Sequence, residues 1–285
     1  MKNFVFLSVL IALLFSGCEE TPPQIDFSIP IIPLKDSTYI EPAPAPQHKA
    51  VLIEDITGVR CINCPDAAQK AKDIIAQKTS DSVVVMAIYP IEIFDNFTRP
   101  YPGVPQLATI ISKEIVQALG LPQGLPNGYV DRKEFLVGTR PVSYTEWINK
   151  VNIRLQQKTP VNIGITKEIT NRNLKVEIKL QYNTNAISGA AHKYAIYIIE
   201  DKIVSTQYTQ SGNNSNYVHN HALRYAFNLT MGNPLTQTTV PGRTYIKQFE
   251  YEMPSEYVID NCHIICAVLD SVTEEVINVR EIDLK

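Results

Sequence analysis

AVLIEDITGVRCINCPDAAQKAKDIIAQK, residues 50–78, places a cysteine pair between an apolar run and a helical repeat. Residues 50–57 (AVLIEDIT) stop at Gly58 and suit a strand buried on both faces. Beyond the pair, Pro65 stands where a first helical turn tolerates proline, and Ala67, Ala71, Ile74 and Ile75 recur at helical spacing. Cys61 and Cys64 therefore fall between a strand and a helix. Working outward, SVVVMAIYP (82–90) reads as a strand and residues 106–119 as a helix. GLPNGYVDRKEF (124–135) reads as a turn and strand, and SYTEWINKVNIRLQQ (143–157) as a helix built on Trp147, Val151 and Leu155. FDNFTRPYPGVP (94–105) is an insertion that would lie near the cysteine end of the sheet.

This order resembles the thioredoxin fold over about residues 50–157. Asp55, six residues before Cys61, stands where that fold carries a buried acid, and Pro126 stands before a strand where it carries a cis-proline. Thiol-disulfide exchange needs a thiolate, and the start of a helix favours negative charge on Cys61; Arg60 adds a cation if it turns that way. Cys61 would then be the nucleophile and the more buried Cys64 the resolving thiol, with Asp55 as proton acceptor and Pro126 shaping the groove. The pair departs from the usual pattern, with Arg60 in place of tryptophan and Ile62-Asn63 between the sulfurs. A persistent Cys61–Cys64 disulfide that only staples the chain is the competing reading. Zinc needs two more ligands than CINC offers, and Pro65 stands where CxxCH haem attachment needs histidine.

From Pro160 onward the pattern turns to alternating strands (161–169, 174–182, 192–200, 243–253, 262–270 and 275–284) separated by polar turns. The number and spacing suit a β-sandwich of immunoglobulin type. Cys262 and Cys266 share a strand face but stand ~13 Å apart at ~3.3 Å per residue, too far for a disulfide. They read as small core residues, and a zinc site on Cys262, His263 and Cys266 meets the same geometric objection. In SGNNSNYVHNHALRYAFN (211–228), His219, His221 and Arg224 form a candidate polar site. They could bind a ligand, but pinning a long connection between strands is the preferred reading, and no metal is assigned there.

The amino terminus joins Lys2, an apolar run from Phe4 to Phe15 and the pair Ser16-Gly17 directly before Cys18. That is a secretory signal, too short to span a bilayer, ending in a lipobox-like site that would acylate Cys18. Residues 1–18 are thus the signal peptide and lipobox. Residues 19–49 carry seven prolines (Pro22, Pro23, Pro30, Pro33, Pro42, Pro44 and Pro46) and read as an extended tether with little helix or sheet. Residues 50–158 and 159–285 form the two domains. With 26 basic and 29 acidic side chains, net charge −3, the chain has no cationic surplus for binding phosphates, so nucleic acid is not an expected partner.

Lipobox, tether, EDITGVRCINCP, LPNGYVDR and YVHNHALR, in this order, resemble the twenty-eight-kilodalton outer-membrane lipoprotein family of the Bacteroidetes. The resemblance implies an α/β thioredoxin-like domain followed by an all-β immunoglobulin-like sandwich. It implies attachment to the outer membrane through acylated Cys18, at the cell surface or the periplasmic face, with protein partners and no cofactor. Two functions follow as expectations: a binding, adhesin or assembly protein in which the cysteine pair is a staple, and a thiol-disulfide oxidoreductase.

Overall fold

The computed structural model describes residues 33–79 and 81–285. The acylation site expected at Cys18 lies outside them. The chain runs β1 (Lys35–Ile40), β2 (Val51–Ile56), α1 (Cys64–Lys78), β3 (Val83–Ile88), a short α2 (Asp95–Thr98), α3 (Ile110–Leu119), β4 (Asn127–Val130) and α4 (Trp147–Leu155). Strands follow: β5 (Val161–Thr170), β6 (Asn173–Tyr182), β7 (His192–Glu200), β8 (Ile203–Thr209), β9 (Gly212–His219), β10 (Ala222–Ala226), β11 (Asn233–Pro234), β12 (Arg243–Glu252), β13 (Cys262–Asp270) and β14 (Val276–Asp283). Among the described residues no helix is long and apolar enough to cross a membrane.

β2 and β3 run parallel, Val51 beside Val83 through Ile56 beside Ile88, and α1 makes the crossover between them. Side chains alternate along β2, so Val51, Ile53 and Asp55 face one way and Leu52, Glu54 and Ile56 the other. Val51 and Ile53 meet Ala67, Ala71 and Ile74 of α1 and Trp147 and Val151 of α4. Leu52 and Ile56 instead join Ile115, Val116 and Leu119 of α3 and, from the second half of the chain, Tyr197, Ile199, Leu223 and Ile265. Residues 50–158 and 159–285 therefore share a core.

They also share a sheet, ordered β14-β13-β7-β10-β3-β2-β4, with β11 beside β7. The junction is narrow: Ala222 of β10 pairs with Ala87 of β3, and the Ala87 N–H donates to the His221 carbonyl at 2.7 Å. A second sheet, β1-β12-β6-β5, packs over β7 and β13. Between the two lie Leu174, Val176, Ile178, Leu180, Ile196, Ile198, Phe227 and Phe249 together with Cys262 and Cys266. Both of these cysteines are buried free thiols.

Three elements differ from the sequence reading. The stretch read as a tether contains β1, which pairs with β12 from Lys35 beside Gln248 to Ile40 beside Arg243. Asp36-Ser37-Thr38-Tyr39-Ile40 carries strand-forming residues and no proline, so its amide groups are free to complete the open edge of β12. The close approach at the end of this pairing depends on Gly242, just before β12, where a Cβ would stand 2.0 Å from the Glu41 carbonyl oxygen. The helix expected from residue 106 begins at Ile110 because the Thr109 hydroxyl caps it, accepting from the Ser112 N–H at 3.0 Å. Residues 211–228, read as a connection, consist largely of β9 and β10. β9 pairs with β8 in a two-stranded hairpin separate from both large sheets, whereas β10 joins the large sheet between β7 and β3.

Candidate functional site around the Cys61–Cys64 disulfide

α1 begins at Cys64, and Cys61 occupies the turn before it, its N–H donating to the Gly58 carbonyl at 3.1 Å. A disulfide joins Cys61 and Cys64. The expectation that Cys61 is the more open of the two does not hold, since each is 2% exposed. The covering comes from the second half of the chain. The β8–β9 hairpin lies over the cysteine turn: the Tyr208 N–H donates to the Val59 carbonyl at 2.8 Å, and Gln207 Nε2 donates to the carbonyls of Gly58 at 3.2 Å and Cys61 at 3.0 Å. Gln210 Nε2 donates to Asn63 Oδ1 at 2.9 Å.

The insertion closes the other side. Phe97 of α2 accepts the Arg60 N–H at 2.8 Å, and the approach is so close that a Cβ on Gly58 would stand 2.5 Å from the Phe97 carbonyl oxygen. Arg60 does not turn toward the sulfurs. Its guanidinium lies 3.9 Å over the Tyr101 ring and donates to the Arg99 and Pro100 carbonyls, while the Tyr101 hydroxyl donates to Asn213 Oδ1 of β9 at 2.7 Å. Insertion and hairpin thus meet across the disulfide.

Beneath the hairpin is a cavity of about 50 Å³, lined among others by Asp55, Cys64, Tyr89, Gln207, Tyr217 and His219. That exceeds the ~10–15 Å³ one water needs. Asp55 is buried, its Oδ1 has no hydrogen-bond partner, and burial pushes its carboxyl up to about 8. His219 shares its Nδ1 with the Tyr89 hydroxyl at 3.1 Å and leaves Nε2 unpartnered; burial pushes its imidazole down to about 4. At neutral pH the pair is an uncharged acid and an uncharged base. The Leu125–Pro126 bond is cis, and Pro126 directly precedes Asn127, which pairs with Ile56 at the end of β2 from which the cysteine turn departs.

His219, His221 and Arg224 have separate partners. The His221 N–H donates to Asp201 Oδ1 at 2.6 Å, and its φ of 58° puts it in the left-handed region. Arg224 lies over the Tyr257 ring, with Nε 3.2 Å from Glu200, and donates to the Gln106 carbonyl. All three fasten the segment to neighbouring elements.

LPNGYVDR and EDITGVRC prove to be two ends of one buried charge system. Arg132 holds Glu54 through Nε at 3.0 and 3.1 Å and Nη2 at 2.6 Å, and also donates to the Tyr197 hydroxyl at 3.2 Å. Next to it, Asp131 accepts from Lys49 and Arg154, each at 2.8 Å, and from the Leu52 N–H at 2.9 Å. Lys49 and Arg154 both reach the Val276 carbonyl of β14. Glu54 inside an apolar strand was the one sequence signal for this network; nothing in the sequence marked Gln207 or Tyr89.

The family model described as outer membrane protein Omp28 matches residues 117–285, more than half of the chain. The chain belongs to the Omp28 family. It is accordingly an outer-membrane protein. Among solved structures, HBP35 of Porphyromonas gingivalis is similar in fold, with a TM-score of 0.66 and 15% identity over 84% of this chain and 76% of that one. A domain of the outer membrane lipoprotein Omp28 from Porphyromonas gingivalis is 24% identical over 44% of this chain and 88% of that one, with a TM-score of 0.32. No curated protein matches the chain. Membership in the Omp28 family accounts for the location and assigns no chemistry to Cys61 and Cys64.

Proposed function

We propose that this Omp28-family protein is a lipid-anchored binding or assembly component of the outer membrane, with a thioredoxin-like layer and an immunoglobulin-like sandwich acting as one scaffold and Cys61–Cys64 as its staple. The observation that carries this reading is the β8–β9 hairpin, which covers the disulfide and hydrogen-bonds to Val59, Gly58 and Cys61. A nucleophilic sulfur must be reached by a partner's disulfide, and a sulfur under a fastened hairpin is not. The outer face of the same hairpin leaves Val204, Tyr208 and Val218 exposed, which supports a protein-binding role. The βαβ crossover, the cysteine turn and cis-Pro126 support the thioredoxin-like part; the core between the two sheets supports the sandwich.

A second reading, a thiol-disulfide oxidoreductase with Cys61 attacking and Cys64 resolving, is favoured by Asp55, an uncharged buried carboxyl beside Cys64 in the cavity. The test is a Cys64→Ser variant expressed in the native cell, followed by non-reducing separation and identification of whatever stays attached. The binding role predicts noncovalent partners and no mixed disulfide. Partners linked through Cys61 would overturn it in favour of the oxidoreductase.

A further inference from the structure

We propose that His263, Glu281 and Asp283 form a binding site for a divalent transition-metal ion of the Zn²⁺ or Mn²⁺ class. The three lie on neighbouring strands. In the antiparallel pairing of β13 with β14, His263 stands opposite Asp283 and Ile265 opposite Glu281. Glu281 and Asp283, two residues apart, therefore share one face of β14 with His263 across from them. His263 Nδ1 is 2.9 Å from Asp283 Oδ1 and 3.0 Å from Glu281 Oε1, and the three ligand atoms all lie within 4.8 Å of one another. Adjacent donors around an octahedral ion with bonds of ~2.1 Å stand ~3 Å apart, which is the spacing of the His263 nitrogen from each of the two oxygens.

Two further observations point to a ligand between these groups. His263 Nδ1 is shielded from solvent and has no hydrogen bond of acceptable geometry, although two carboxylate oxygens are within 3.0 Å. The carboxylates around the ring favour a proton on it, so an ion binds by displacing that proton and then takes the nitrogen lone pair and both oxygens together. On the other side of the ring, Nε2 faces Asp201 Oδ2 at 3.5 Å, and Asp201 is fixed by the His221 N–H. A carboxylate at the second ring nitrogen, holding the tautomer and aim of the first, is the usual support for a metal-bound imidazole. The left-handed turn at His221 thus acquires a purpose: it aims the amide that anchors Asp201.

One imidazole nitrogen and two carboxylate oxygens form a hard-to-borderline donor set, suited to Zn²⁺, Mn²⁺ or Fe²⁺ and not to Cu⁺. Asp283 is largely exposed, so an ion can enter and keep water on its remaining positions. Bound there, it clips the end of β14 to β13. His263 meets the two carboxylates only through strand pairing, so no local spacing in the sequence joins the three.

The test uses untagged full-length protein in detergent, stripped with a chelator and titrated calorimetrically with ZnCl₂ and with MnCl₂. One equivalent of at least one ion should bind, at least tenfold more weakly in Asp283→Asn and in Glu281→Gln, with no measurable binding in His263→Gln. The bound ion should raise the wild-type melting temperature and leave that of Asp283→Asn unchanged. Asp283 is exposed, so its substitution tests the site without endangering the fold. Absence of stoichiometric binding, or binding unchanged in Asp283→Asn and Glu281→Gln, overturns the proposal and leaves His263 as an imidazolium held among carboxylates.

Discussion

Gln207 Nε2 donates to the carbonyl oxygen of Cys61 at 3.0 Å, so a side chain from the second half of the protein holds down the turn that carries the disulfide of the first. The same nitrogen reaches Gly58. Removing it should loosen the hairpin without emptying the core. In Gln207→Ala, reduction by limiting dithiothreitol, followed by maleimide labelling, should quicken about five- to tenfold, the equivalent of ~1 kcal/mol of hydrogen bonding. An unchanged rate would show that the hairpin does not govern access to the sulfurs.

Asp55 and His219 give stability a pH dependence whose sign can be worked out. The raised carboxyl of Asp55 contributes stability that is complete below ~4 and is lost as pH rises to about 8. The lowered imidazole of His219 contributes stability that is complete above ~6.5 and is lost as pH falls to about 4. Between ~4 and ~6.5 the slopes oppose each other, and above ~6.5 only the Asp55 loss remains. Asp55→Asn should therefore be more stable than wild type at pH 8, by roughly 2 kcal/mol. It should also weaken on acidification from pH 6.5 to 4. Urea unfolding at four or five pH values checks both slopes, and parallel curves for the two proteins would contradict the assignment.

The Glu54–Arg132 pair is buried completely, with three short contacts between its charges. Deleting one member strands the other in an apolar interior. Arg132→Met should lose ~3–5 kcal/mol, and the double variant Glu54→Gln/Arg132→Met should lose less than the single one. Chemical denaturation of the two variants measures the difference. A double variant as damaged as Arg132→Met would mean that packing of the guanidinium against Tyr197, not charge, dominates.

Gly58 admits no side chain because the Phe97 carbonyl oxygen lies where a Cβ would go. Gly58→Ala should push the insertion away from the cysteine turn, lowering stability by about 1–3 kcal/mol. Proteolysis should show the effect first, as cutting near residues 94–105. An alanine variant as resistant as wild type would show that the insertion shifts without cost.

The strand, cysteine turn and helix of residues 50–78 were legible because local periodicity and the position of Pro65 point the same way. Asp55 and Pro126 stood out only through the resemblance to the thioredoxin fold. What the sequence concealed is long-range. Gln207 resembles any polar hairpin residue until folding sets it over Cys61, and Arg60 had as much reason to face a sulfur as a ring until Tyr101 arrived from the insertion. β1 was hidden by its setting, since prolines on both sides outweighed six residues that needed only an open strand edge to pair. The sharing of one sheet by both halves rests on the Ala222–Ala87 contact, and small apolar residues announce nothing about the partner they will meet.

β1 also bears on the lipid anchorage proposed above. With Cys18 as the acylated residue, a pull from the membrane would enter the described fold at β1, whose six residues are paired with β12 over their whole length. Tension along that strand loads the rungs together, in shear, instead of peeling them one at a time. Because β12 belongs to the sheet that packs over β7 and β13, the drag of a bound partner would be borne by the sandwich. A partner seated on the outer face of the β8–β9 hairpin would pull at the far end of that path, on the segment that covers the disulfide.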